Sequence, residues 1–157
     1  MTTSSTAAVL ATAAASPRPK RRMRYALASL AAAVALLAAA CGPEQDMSDL
    51  TNRSRSVYGL RAYSQNMALY SKASAWSVQM ARQGYLSHSN LAANNPYGWR
   101  RLGENVGYGP DVTTIHNALM NSAGHRANIL DTGFQYFAIG IYDSGGRLWV
   151  TEEFMQL

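Results

Sequence analysis

Cysteine is nearly absent from this 157-residue chain; Cys41 is its single example. No intramolecular disulfide can form, so the fold must be held by its core alone. Acidic residues are missing before residue 25, where Arg18, Lys20, Arg21, Arg22 and Arg24 all lie. The formal charge of +5 therefore belongs to that segment, because from Cys41 onward 9 basic residues face 9 acidic ones. A domain so close to neutrality lacks the basic patch that nucleic acid requires, which excludes nucleic acid as a partner. No uncharged apolar run reaches the ~20 residues of a transmembrane helix; the run Tyr25 to Ala40 has 16. Internal repeats are missing, and so are the His-Glu-x-x-His and Gly-x-Ser-x-Gly signatures of common hydrolases.

What is present begins with a leader. Residues 1–24 are rich in Thr, Ser, Ala and Pro, with a basic cluster, and are expected to be disordered. A basic front edge before an apolar run fits a secretory signal peptide. The run ends Leu37-Ala38-Ala39-Ala40-Cys41-Gly42, which resembles the bacterial lipobox, although Ala38 stands where Leu is usual. That resemblance implies cleavage before Cys41 and lipidation of its thiol. The expected layout is a signal peptide over 1–41 and one domain over 42–157, joined by a short tether from Gly42 to about Gln45. The product would be exported, either anchored at the outer face of the membrane or extracellular.

Asp46 or Ser48 can cap a first helix running to about Tyr58, with Gly59 as the left-handed residue that ends it. A second helix is predicted over Met67–Gln83, closed by Gly84. Residues 85–102 read as loop, with a short strand near Glu104–Tyr108. A third helix runs from Asp111 to Met120, and Ser122 is placed to cap a fourth through Leu130. Alternation around Phe137–Tyr142 and Arg147–Phe154, across Ser144-Gly145-Gly146, predicts a hairpin. Helices and antiparallel strands in segregated order indicate an α+β layered domain.

Candidate chemistry is sparse. His88 lies in the polar loop Ser87-His88-Ser89-Asn90, and Glu104 stands near Gly103 and Gly107. Ser122 and His125 are three apart and share a helix face. His116, between Val112 and Met120 at helical spacing, reads as partly exposed surface. Glu152 and Glu153 point to opposite faces of the last strand, so one of them should face inward. Asn105 and Asn128 are expected to satisfy backbone groups. Tyr97, Trp99 and Tyr108 flank the His88–Glu104 region.

Gly103-Glu104-Asn105-Val106-Gly107 and Ser122-Ala123-Gly124-His125-Arg126-Ala127-Asn128-Ile129-Leu130 together resemble the CAP superfamily of cysteine-rich secretory, antigen 5 and pathogenesis-related proteins, in its disulfide-free bacterial branch. Asn52-x-x-Arg55, Ser87-His88-Ser89 and Trp149 through Phe154 follow the same order. The resemblance implies an α-β-α sandwich with a small antiparallel sheet. It also implies a cleft built from His88, Glu104, Ser122 and His125, with Ser at a position where eukaryotic members carry an acid.

His88, Glu104 and His125 form a donor set of the kind that holds a divalent metal such as zinc. A hydrogen-bond network is the competing reading of the same residues, and it would make the domain a purely structural or adhesion module. Family members are linked to sterols and lipids, so a lipid, sterol-like or cell-wall ligand is the expected partner. A hydrolase would use Ser122 as nucleophile, His125 as base and Glu104 as orienter. A Ser that already caps a helix would be a poor nucleophile.

Overall fold

The computed structural model describes residues 42–93 and 98–157. The expected signal peptide, the lipidation site Cys41 and Tyr97 lie outside the described residues.

Helix α1 spans Pro43–Val57. Pro43 suits the first turn, where its missing N–H costs nothing, and Glu44 and Asp46 complement the helix dipole. The expected tether Gly42–Gln45 is therefore mostly helix. Met47, Ser48, Thr51 and Arg55 form the buried stripe of α1. Gly59 takes the expected left-handed conformation, with φ 68°.

Strand β1, Ser64–Gln65, is too short to leave a pattern in sequence. Helix α2 spans Met67–Gln83. Asn66 Oδ1 accepts from Ala68 N and Leu69 N, and Gly84 ends the helix at φ 79°. Strand β2, Arg101–Gly109, is longer than the expected Glu104–Tyr108. Helix α3 covers Val112–Asn121, capped by Asp111, which accepts from Thr114 N at 2.7 Å. Helix α4 covers Ala123–Ile129. Strands β3, Tyr136–Ser144, and β4, Arg147–Gln156, form the predicted hairpin.

The sheet order is β1-β3-β4-β2. The long strands pair antiparallel, and β1 adds a parallel edge to β3. Val150, Glu152 and Phe154 of β4 face α1, α3 and α4. There Met47, Ile115, Leu119, Ile129, Phe137 and Ile139 complete the main core. Trp149, Thr151, Glu153 and Met155 face α2, against Leu69, Lys72, Ser77 and Met80. The expected three-layer α-β-α sandwich is the fold that forms.

The α2 layer rests directly on the sheet at Gly140. A Cβ there would lie 2.2 Å from Ala73 C and Ser74 N, so only glycine permits the approach. Because helices cover both faces, Glu152 and Glu153 are both buried, at 0% and 1% exposure. The expectation that only one points inward is corrected by the second helical layer.

Candidate functional site

The site gathers at the β2 edge of the sheet. The loop after α2 carries His88, and side chains of α2 hold that loop in place. Trp76 Nε1 donates to Ser87 O at 2.7 Å, and Gln83 Nε2 donates to Ser87 Oγ at 2.6 Å. His88 is exposed, yet its Nδ1 lies 2.7 Å from Glu104 Oε1. Ser89 N donates to the same oxygen at 2.9 Å. The Glu104 side chain is 1% exposed, and its Oε2 is buried without a hydrogen-bond partner among the described residues.

Glu104 pairs across the sheet with Glu153, so both carboxyls belong to the α2 face. Glu153 Oε1 lies 3.3 Å from Lys72 Nζ, which also donates to Leu91 O. Burial pushes the Glu153 carboxyl up to about 7; Lys72 opposes that rise and the Glu104 charge adds to it.

The other wall of the cleft comes from the start of α4. Ser122 occupies the N-cap position, as expected, but its side chain makes no cap hydrogen bond. The expectation that capping would tie up this hydroxyl is thus corrected. His125 is half-buried, and its pKa is lowered first by burial and second by the charge of His88. The two imidazoles are therefore near enough to sense each other. No hydrogen bond joins Ser122 to His125 among the described residues. Beside them lies a cavity of about 430 Å³ with mostly apolar walls, including Leu86, Val106, Tyr108 and Leu119, with Ser122 and His125 at its margin.

Behind the cleft a sealed network ties the elements together. Asn105 Nδ2 donates to His125 O at 3.1 Å and to Glu152 Oε2 at 2.9 Å. Asn128 Nδ2 donates to Asn105 Oδ1 at 2.9 Å and to Glu104 O at 3.3 Å. Thr51 Oγ1 donates to Glu152 Oε1 at 2.9 Å. The backbone role expected of Asn105 and Asn128 is met, and each also joins a side chain. Burial raises the Glu152 carboxyl to about 7 against both hydrogen bonds. Sequence reading missed the Thr51–Glu152 and Lys72–Glu153 contacts, because neither pair is close in the chain.

His116 is a further correction. It is 4% exposed, with Nε2 2.8 Å from Ser54 Oγ, and burial lowers its pKa. Helix α1 covers the face that its own helix leaves open, so it belongs to the core and not to the surface.

Among the described residues, no group of three His, Cys, Asp or Glu side chains is arranged to hold a metal ion. Glu104 Oε1 is shared by His88 and Ser89 while Oε2 has no partner among the described residues, so Glu104 keeps a free oxygen, but His88, Glu104 and His125 as placed do not converge into a zinc centre. No helix among the described residues is long and apolar enough to cross a membrane.

The family model of the cysteine-rich secretory protein family, CAP, matches residues 48–154. The chain belongs to that family. It is 30% identical to YkwD of Bacillus subtilis (strain 168) over 71% of this chain, but spans only 46% of that relative's length. An extracellular protein containing an SCP domain from Bacillus anthracis str. Ames superposes with a TM-score of 0.66 at 27% identity, covering 74% of this chain and 41% of that one. An outer surface protein of Borrelia burgdorferi shares the fold at 12% identity, with a TM-score of 0.65 over 73% of this chain and 92% of that one.

Proposed function

We propose that this chain acts outside the cell as a binding domain, held at the membrane through Cys41, and that its cleft takes an amphipathic envelope ligand. The apolar part of a lipid or sterol-like molecule would enter the 430 Å³ cavity, and a polar head would meet His125, Ser122 and the exposed His88. The observation that carries this reading is the apolar cavity with imidazole and hydroxyl at its margin, which is the composition of a small-molecule site. The bacterial leader and the description of the Bacillus anthracis relative as extracellular support the location.

A hydrolase is less favoured. Its nucleophile and base must come within hydrogen-bond reach, and Ser122 and His125 make no such bond in this structure. A zinc centre is less favoured because His88, Glu104 and His125 do not gather into a metal-holding group among the described residues.

Titrating the full chain with the fluorescent fatty acid cis-parinaric acid tests the reading. Saturable enhancement is expected. Ala118→Trp, which fills the cavity from the exposed side of α3, should abolish it without changing the melting temperature. An unchanged isotherm in that variant, or no saturation in wild type, would rule the reading out. Calorimetric titration with zinc at pH 7.5 should give no saturable micromolar isotherm. One that disappears in the His88→Ala/His125→Ala double variant would replace the lipid reading with a metal site.

A further inference from the structure

Arg55 poses a separate problem at the opposite edge of the sheet. It is 2% exposed, in the last turn of α1, with its guanidinium 3.5 Å over the Tyr63 ring. Nε donates to Arg61 O at 2.7 Å, and Nη1 donates to Ile129 O and Asp131 O at 2.8 Å. Three of five N–H groups are thereby used. Beyond these carbonyls the guanidinium meets the Tyr63 side chain, and no carboxylate accepts from Nη2 among the described residues.

No carboxylate forms a direct ion pair with Arg55 among the described residues, although the charge of Asp131 is near enough to favour the cation. The Asp131 side chain uses Oδ1 to accept from Arg101 Nη2, Gly133 N and Phe134 N. Arg55 and Arg61 enter no ion pair among the described residues. A buried cation normally pairs or neutralises, and arginine does not neutralise in proteins.

Both arginines line one cavity of about 330 Å³, with Ser64, Thr132 and Gln135 as polar walls and Phe134 as an apolar one. It lies beside β1, whereas the histidine cleft lies at β2, the other end of the strand order. What this cavity lacks is an acceptor with negative charge. Guanidinium and hydroxyl donors on a rigid frame favour a planar or tetrahedral oxyanion.

We infer that this cavity is a second ligand site, distinct from the histidine cleft, which takes a compact oxyanion head group, a carboxylate or a phosphate, against Arg55 Nη2 and the Arg61 side chain. Arg55 supplies the fixed donor. Arg61 is exposed and supplies long-range attraction at the mouth.

The test is a titration of the isotopically labelled full chain, followed by NMR at constant ionic strength, with sodium acetate, inorganic phosphate and neutral acetamide as probes. Acetate or phosphate should move the Arg55 Nε–Hε signal and the Ser64 and Thr132 amides saturably, and acetamide should not. The anion that saturates first names the head group. Arg61→Glu reverses an exposed charge and should weaken binding by about tenfold or more. Thr132→Trp, at an exposed residue whose side chain makes no hydrogen bond, should block the cavity. Both substitutions leave the backbone carbonyls that hold Arg55 in place, so both variants fold, and a melting temperature at or above wild type is expected for Arg61→Glu, whose carboxylate can meet the guanidinium. Absence of saturable movement, equal movement with acetamide, or equal affinity in both variants would overturn the assignment. Arg55 would then be a structural clamp for the end of α4 and no more.

Discussion

The two faces of one sheet are built in opposite ways. The face toward α1, α3 and α4 is aromatic: the rings of Tyr63, Phe134, Phe137 and Phe154 stack, tilt or meet edge-on, 5.5 to 6.5 Å apart. Its buried carboxylate, Glu152, receives hydrogen bonds on both oxygens. The face toward α2 has smaller apolar clusters around Leu69, Met80, Trp149 and Met155, brings its helix close on Ala73, Ser77 and Gly140, and leaves polar groups incomplete. Glu104 Oε2, Glu153 Oε2, Ser74 Oγ and Ser89 Oγ are buried without hydrogen-bond partners among the described residues, and Glu153 Oε1 has only its ion pair with Lys72. On the first face His116 Nδ1 is a lone exception. Unsatisfied polar groups cost stability, and here they collect on the side where His88 opens to solvent. The first face supplies cohesion, and the second gives up some cohesion for a site.

Breaking the aromatic face should have the largest effect. Phe154 is fully buried and touches three other rings. Phe154→Ala should cost about 3–5 kcal/mol of unfolding free energy, readable by urea denaturation. Gly140→Ala attacks the other face by pushing α2 off the sheet, because backbone cannot yield as a side chain does. A cost of about 3 kcal/mol is expected. A near-neutral result would mean that the α2 layer is loosely seated, and the contrast between the faces would lose its basis.

The buried carboxyls sharpen the comparison through pH. Glu152 and Glu153 are both raised from 4.5 to about 7 by burial. Folding therefore favours the protonated form. The stabilisation is complete below pH ~4.5 and is lost as pH rises toward 7, by up to about 3 kcal/mol for Glu152. His116 and His125, with lowered pKa values, pull the other way below pH ~6.5, so the wild-type profile mixes both effects. Glu152→Gln removes one carboxyl and leaves the histidines. The variant should be more stable than wild type at pH 7.5 and lose that advantage by pH 5. A difference that does not vary with pH would mean Glu152 is not the titrating group.

Much of this architecture was legible from local pattern. Gly59 and Gly84 marked helix ends, and the Gly145-Gly146 turn marked the hairpin; all four glycines have positive φ. Pro43, at the first helical position, marks the true start of α1, three residues before the Asp46 cap that the sequence suggests. What failed depended on what lies opposite. His116 was judged by Val112 and Met120 on its own helix, while Ser54 of α1 decides its fate. Glu152 and Glu153 were judged by strand alternation, although a three-layer fold covers both faces. His88 and Glu104 were paired through motif order, and the 2.7 Å contact agrees. The Ser122 hydroxyl was expected to cap α4, and only the backbone geometry of a cap is found. Arg55 belonged to a recognised motif, but sequence held no sign that its guanidinium lacks a carboxylate partner among the described residues.

The smallest effect on stability should come from His88→Ala, and it separates a site from a scaffold. The His88 side chain is 61% exposed, and one hydrogen bond ties it to Glu104. Contacts of that kind contribute about 0.2–1 kcal/mol. Glu104 would keep Ser89 N, and the loop would keep its Trp76 and Gln83 anchors. The melting temperature should therefore fall by only a few degrees, while cis-parinaric acid binding weakens as the polar edge of the cleft is lost. The reverse pattern, a large drop in melting temperature with binding intact, would assign His88 to holding the loop against the sheet. The α2 face would then be incomplete for structural reasons, and the cleft would owe its ligand chemistry to His125 and Ser122 alone.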